Sequence, residues 1–230
     1  MFTSLSIVCG LVIMDVPSLT CVVEDWGLED YQGAYVRQKA LVQDVMSGAP
    51  ARLIFCEHPA VLTLGRMTKI ENLLWPKELI EANGVSILSV DRGGDVTLHA
   101  PGQLVIYVIM DLSFVGRDLK RYLEQLQEVV IDLLKEFDIL AEGINGQRGV
   151  WVGKDKIASI GVGVRKWVSY HGIGLNVNTD LDLFRMIRPC GLDVAMTSIS
   201  KIKGKSIDIK MVKDKVGCLF CNRFNLKPLI

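Results

Sequence analysis

Apolar residues recur at helical spacing from Leu28 to Met46, where Leu28, Tyr31, Ala34, Tyr35, Leu41, Val42 and Val45 share one face, and this predicts the first helix. Gly48-Ala49-Pro50 stops it. Arg52 to Cys56 reads as a strand, and Pro59 and Gly65 bracket a short second one. Ser86 to Val90 is a third. Val96–His99 and Gln103–Met110 flank Pro101-Gly102, a pair suited to the two central positions of a type II turn, so a β-hairpin is expected. Its alternation puts Thr97 and His99 on one face and Leu98 on the other. Asp118 caps the most regular helix, striped by Leu119, Tyr122, Leu123, Leu126, Val130, Leu133, Leu134 and Phe137. Val150-Trp151-Val152, Lys156–Val164 and Trp167–Asn176 follow as strands with tight connections, and Ile207 to Phe224 ends the pattern as an amphipathic helix. Helices and strands mix without strict alternation, so the expected fold class is α+β, a mixed β-sheet flanked by helices.

Half of the 230 residues are hydrophobic, enough for a sizeable core and against a disordered class. Lys plus Arg balances Asp plus Glu, which does not point to nucleic acid as the main partner. The two ends differ: residues 1–36 hold five acids and no Lys or Arg, while residues 201–230 hold eight Lys and Arg against Asp208 and Asp214. Six cysteines are too sparse for a disulfide scaffold, so a reducing compartment, the cytoplasm, is expected. Cys218 and Cys221 form a C-x-x-C without a second ligand pair and read as two packed thiols. Leu5 to Met14 is apolar but lacks a preceding Lys or Arg and a small-residue cleavage site, so residues 1–18 read as an N-terminal extension that need not be ordered. Residues 19–230 are then expected to be a single catalytic domain. Leu104 to Met110 falls far short of the roughly 18–20 residues that span a bilayer, and no membrane association is expected.

Candidate chemistry gathers between Gly149 and Gly191. Pro189 lacks an N–H and Gly191 is free to take positive φ, so Cys190 is expected on an irregular turn that presents its sulfur to a cleft. Lys156 stands at the lip of a buried strand whose Gly161 and Gly163 leave room for another group. Taken alone, Cys190 is a core thiol and Lys156 a surface lysine. Arg92-Gly93-Gly94 supplies a fixed charge and a backbone that a ligand can approach, yet it matches neither the P-loop nor the dinucleotide fingerprint. His58 and His171 read as satisfied structural histidines, and three scattered histidines make a poor metal site.

Glu57-His58-Pro59 with Thr63-Leu64-Gly65-Arg66, Arg92-Gly93-Gly94 with Thr97, His99 and Pro101-Gly102-Gln103, Gly149-Val150-Trp151-Val152 with Lys156-Ile157-Ala158, Tyr170-His171-Gly172 with Leu175-Asn176-Val177-Asn178, and Pro189-Cys190-Gly191 together resemble the lipoyl(octanoyl) transferase family. Five blocks in the right order weigh far more than any one of them. The resemblance implies an enzyme that moves an octanoyl group from octanoyl-acyl carrier protein to a specific lysine of lipoyl-domain proteins, namely 2-oxoacid dehydrogenase E2 subunits and the glycine cleavage H protein. It places the acyl-carrying cysteine at Cys190 and the lysine that tunes it at Lys156. Substrate contacts fall on Arg92, Gly93, Gly94, Asp95, Val96, Thr97, Leu98 and His99, on Ser159, Ile160 and Gly161, and on Gly172, Ile173 and Gly174. The implied fold is that of the lipoate and biotin protein ligase catalytic domain, with no cofactor and no metal. Members usually carry Gln, Tyr and Gly where this chain has Asp95, Leu98 and Ala100, which bears on the acyl pocket.

The chemistry is coherent without the family. A free thiol of pKa about 8.5 is only a few per cent thiolate near neutrality, and a neighbouring ammonium that brings it to about 7 raises that to about half. An acceptor lysine of pKa about 10.4 is free amine in less than about one part in a thousand, so the second step needs a base. Backbone amides near Cys190, a turn at Ser159-Ile160-Gly161, and His99 are the candidates to hold the oxyanion or orient the thioester. Arg185 and Arg188 are candidates to meet an acidic carrier. An ATP-dependent lipoate or biotin ligase and a non-catalytic lipoyl-domain binder are the competing classes.

Overall fold

The computed structural model describes residues 19–189 and 194–229; the extension 1–18 lies outside them. In chain order the elements are strand β1 (Leu19–Leu28), helix α1 (Tyr31–Met46), strands β2 (Ala51–Glu57) and β3 (Val61–Leu64), helix α2 (Lys77–Ala82), strands β4 (Ser86–Ser89), β5 (Val96–His99) and β6 (Gln103–Ile109), helix α3 (Leu119–Lys135), strands β7 (Gly149–Val152), β8 (Asp155–Arg165) and β9 (Val168–Asn176), helices α4 (Ile199–Lys203) and α5 (Ile209–Arg223), and strand β10 (Leu226–Leu229). Seven strands form one sheet in the order β10-β1-β2-β6-β9-β8-β7, and β4-β3-β5 form a second. β1 runs parallel to both β10 and β2, whereas β6, β7, β8 and β9 pair antiparallel, so the large sheet is mixed, as the pattern predicts.

Both faces of the large sheet are covered, which explains why β6 is an unbroken apolar run rather than an alternating one. Leu53, Phe55, Leu104, Ile106 and Val108 face the stripes of α3 and α5, including Leu126, Val130, Leu133, Val212 and Phe220. Ile54, Cys56, Val105, Tyr107 and Ile109 face α1 through Ala34, Val42 and Val45. Helix α1 starts at Tyr31, not Leu28, because the Asp30 side chain accepts from Gly33 N and closes the first turn; Leu28 ends β1 and is exposed. Asp118 caps α3 in the same way, through Arg121 N. Of the C-x-x-C thiols only Cys221 is packed, in the core that also holds Cys21; Cys218, one helical turn earlier, is exposed.

The expected hairpin is not formed. Its turn exists: Gln103 N donates to Ala100 O, and Gly102 at φ +83 sits where a type II turn needs positive φ. The strands on either side then part into different sheets, β5 pairing with β3 and β6 with β2 and β9. Glu57 Oε2 accepts from Gly102 N and Asn178 N donates to Gly102 O, wedging the corner open. Every residue of β5 and β6 is buried, and a two-stranded ribbon could not cover both faces of both strands. Leu62, Val96, Leu98, Ile80 and Val85 form the separate core of the small sheet. Among the described residues no helix is long and apolar enough to cross a membrane.

Candidate active site

Where the two sheets part, a cavity of about 570 Å³ opens, a volume usual for small-molecule sites. Strand pairing assembles one wall: Ser159, Ile160 and Gly161 on β8 stand opposite Gly174, Ile173 and Gly172 on β9. All six line the cavity, as do Arg92, Gly93, Gly94, Asp95, Thr97, His99 and Lys156. Two blocks that are more than ten residues apart in sequence thus become one surface. Val96 and Leu98 do not join them; alternation along β5 turns both into the core of the small sheet. Leu98 therefore belongs to that core and not to the cavity, and Ala100 lies in the same core. Ser159-Ile160-Gly161 is not a turn but the middle of β8.

The cavity glycines make room for protein rather than for empty space. A methyl group on Gly172 would meet Ile106 O, and one on Gly174 would meet Gln103 Oε1 at 2.9 Å. At Gly161 it would lie 3.0 Å from Gly93 O, and Gly93 N donates to Val162 O at 2.8 Å. That amide is spent within the protein.

Lys156 is not on the lip of its strand: its side chain is fully buried, with Nζ 5.1 Å from the centroid of the Trp151 ring. A register shift between Val150 and Trp151 sets Trp151 opposite Lys156. Gly149, at φ +146, clears the path of the lysine, because an added Cβ would lie 2.5 Å from Lys156 Cε and closer still to Ala158 O. Gly149→Ala is expected to displace the lysine and to cost about 1–3 kcal/mol in a urea titration, in addition to activity. The backbone of Lys156 carries a further strand-like partner: Lys156 N donates to Ala195 O and Thr197 N to Lys156 O, both at 2.9 Å.

Arg92 is anchored by Thr63, whose Oγ1 and carbonyl accept from Nε and Nη2. His99 is fixed as a neutral ring with known faces. Gln103 Nε2 donates to Leu98 O and Asn176 Oδ1, so Gln103 Oε1 faces His99 Nδ1 at 2.7 Å and Nδ1 carries the hydrogen. Nε2 keeps its lone pair. Burial first, and with it the Arg92 guanidinium, holds the His99 pKa well below its ordinary value.

His58 and His171 are held on both ring nitrogens. His58 Nδ1 donates to Glu29 O at 2.7 Å and Nε2 accepts from the Tyr107 hydroxyl at 2.8 Å. His171, which lines the cavity at φ +59, donates from Nε2 to Asp91 at 3.2 Å and meets the Tyr31 hydroxyl at 3.4 Å through Nδ1. Burial lowers the pKa of both histidines, and the bond from His171 holds the Asp91 carboxyl well below the usual carboxylate range.

Cys190 and Gly191 lie outside the described residues. Their flanks do not. Two residues before Cys190, Arg188 N donates to Asn72 O at 2.8 Å, and Asn72 lines the cavity. Five residues after it, Ala195 is bonded to Lys156. Asn72, Tyr31, Tyr107 and Arg148 also line the cavity without any signal in the sequence pattern. Asn72 sits in a short 3-10 turn with no periodicity, and Tyr31 and Tyr107 read only as apolar positions. Among the described residues no group of three His, Cys, Asp or Glu is placed to hold a metal ion.

Comparison with known proteins adds to this geometry. The family model described as the lipoyl protein ligase A/B catalytic domain matches residues 30–221. The octanoyltransferase of Syntrophotalea carbinolica is 42% identical over 196 residues, covering 84% of this chain and 90% of that protein. The octanoyltransferase of Caldicellulosiruptor saccharolyticus is 47% identical over 178 residues, 76% of each. Among solved structures, that of a bi-partite lipoate protein ligase and its E2 lipoyl domain from Thermoplasma acidophilum superposes with a TM-score of 0.74 at 15% identity, over 92% of this chain and 88% of that one, a likeness of fold.

Proposed function

The chain belongs to the lipoyl protein ligase A/B catalytic domain family, and on that footing we propose that it is an octanoyltransferase that passes the acyl group through a thioester on Cys190. The donor in this reading is octanoyl-acyl carrier protein. The acceptor is a specific lysine of the lipoyl domains of 2-oxoacid dehydrogenase E2 subunits or of the glycine cleavage H protein. The observation that carries the assignment is that both flanks of Cys190 are tied to the walls of the cavity that holds Lys156: Arg188 to Asn72, and Ala195 to Lys156 itself. Two residues of chain reach at most about 7 Å beyond Arg188.

Lys156 acts first as the ammonium beside the Cys190 thiolate; as the thiolate attacks the donor thioester, the ammonium gives its proton to the departing carrier sulfur, which leaves as the thiol. The neutral Lys156 amine then accepts a proton from the acceptor lysine as that amine attacks the enzyme thioester, and Cys190 leaves as thiolate beside the restored ammonium. The lone pair of His99 Nε2 is the fixed acceptor available to orient a donor group of the substrate, and Arg92 a fixed cation. Asp95, Thr97, Ser159, Ile160, Gly161, Gly172, Ile173 and Gly174 complete the substrate wall. Arg185 and Arg188, both exposed beside the site, are the surface proposed to meet the acidic carrier. Residues 19–230 act as one catalytic domain, and the free thiols Cys21, Cys56, Cys218 and Cys221 support a reducing compartment, the cytoplasm.

Thioester exchange is nearly balanced and amide formation is downhill, so transfer needs no nucleotide. Incubation with octanoyl carrier protein, without ATP, is expected to add one octanoyl mass to the intact protein. That mass is lost when a lipoyl domain is supplied and never appears in Cys190→Ser. An unmodified protein that labels the lipoyl domain only with ATP is a ligase instead, and one that binds the domain without ever carrying an acyl group is a non-catalytic binder.

A further inference from the structure

We propose that Asn72, paired with Asp95, is a positioning residue that sets the height of the chain leading into Cys190; the inference rests on the transferase reading above. Two parts of the cavity wall meet at Asn72. Its side-chain amide donates to Asp95 Oδ2, while its backbone carbonyl accepts from Arg188 N at 2.8 Å. Three successive contacts then run antiparallel, Asn72 with Arg188, Leu73 with Ile187, and Leu74 N with Met186 O. The segment before Cys190 is thus clipped to residues 72–74, and those residues take their place from Asp95.

The carboxylate is well suited to the task. Oδ1 accepts from Val96 N at 2.6 Å and from Lys69 N at 3.3 Å, leaving Oδ2 for Asn72. Both partners are largely buried, with Asn72 5% and Asp95 8% exposed, so water competes little for the bond. On its other side the Arg92–Asp95 loop is bonded to the same segment through Arg66 N to Arg92 O and Met67 N to Gly94 O, both at 3.1 Å. One strap, residues 66–74, therefore couples the arginine-glycine loop to the approach of the cysteine. The carboxylate at position 95 has its complement in Asn72.

The test is an exchange of partners. N72D sets two carboxylates against each other and is expected to slow acylation of Cys190 on the order of 10²-fold, the cost of a misplaced reacting atom. The pH profile of Cys190 alkylation by iodoacetamide is expected to move to higher pH as the thiol leaves its ammonium. N72D/D95N exchanges acceptor and donor, still lets Oδ1 serve Val96 and Lys69, and is expected to restore both rate and profile. Should N72D not fold, N72A removes the same side-chain bond and leaves the backbone carbonyl. A folded N72D or N72A with the wild-type rate and alkylation profile overturns the proposal, and so does a slow variant whose profile is unmoved or whose rate the exchange does not recover. Alkylation needs no acyl donor, so this readout still judges the pair if the wild-type protein never takes up an octanoyl group.

Discussion

Lys156→Met is expected to slow both halves of the transfer, acylation of Cys190 and delivery of the acyl group to the lipoyl domain. Acylation should fall by about tenfold or more, the difference between a thiol that is half thiolate near neutrality and one that is a few per cent. Delivery should fall further, by on the order of 10²–10⁴, because the incoming lysine then has no base to take its proton. Methionine keeps much of the buried stem against Trp151, so the loss is chemical and the fold should persist. Single-turnover measurement of the two steps by intact mass separates them. Wild-type rates for both would remove Lys156 from the mechanism, and a defect in delivery alone would leave it only the role of base.

Acid should begin to destabilise the protein above the range in which carboxylates titrate. All three histidines of the chain are buried, and burial lowers the pKa of each. Each is neutral in the fold but protonates near pH 6.5 once unfolded, so below that pH the unfolded chain binds more protons and stability drops. The limiting slope is about 1.4 kcal/mol per pH unit for each histidine, or about 4 for three, until the folded rings themselves protonate. Asp91 adds to it later: its lowered pKa gives stability above about pH 3.9 that disappears as pH falls further. Urea titrations at about pH 7.5 and about pH 5.5 should show this drop, and the histidine Cε1 proton resonances should titrate at lower pH than those of a free imidazole. Equal stabilities at the two pH values, or rings that titrate normally, would refute it.

Several of these residues were visible before any coordinates. The cavity wall of Ser159–Gly161 against Gly172–Gly174, the loop Arg92–Asp95 with Thr97 and His99, and Lys156 are all positions that the family resemblance implies. What those blocks do not encode is depth. The same pattern that makes Lys156 a lip residue is consistent with full burial, because the covering residues, Trp151 and the chain at Ala195, reach it through a register shift and a bridge between distant segments.

Local chemistry determined the elements whose evidence is local: the capped helices α1 and α3, with their starts set by Asp30 and Asp118, the turn at Gly102, and the alternation that splits Thr97 and His99 from Leu98. The tertiary structure decided everything that depends on which surface covers which. Strands β1 and β10 were not legible, since β1 has a single fully buried residue, Cys21, and β10, at the sheet edge, has Leu226 alone buried and contains Pro228. The Pro101-Gly102 turn specifies a reversal but no partner, and burial on both faces sent β5 and β6 to different sheets. The tautomer of His99 and the pairing of Asn72 with Asp95 arise from contacts between chain segments that no periodicity connects. Hydrophobic period and turn residues act over a few positions, whereas a cavity is defined by groups brought together only when the sheets close around it.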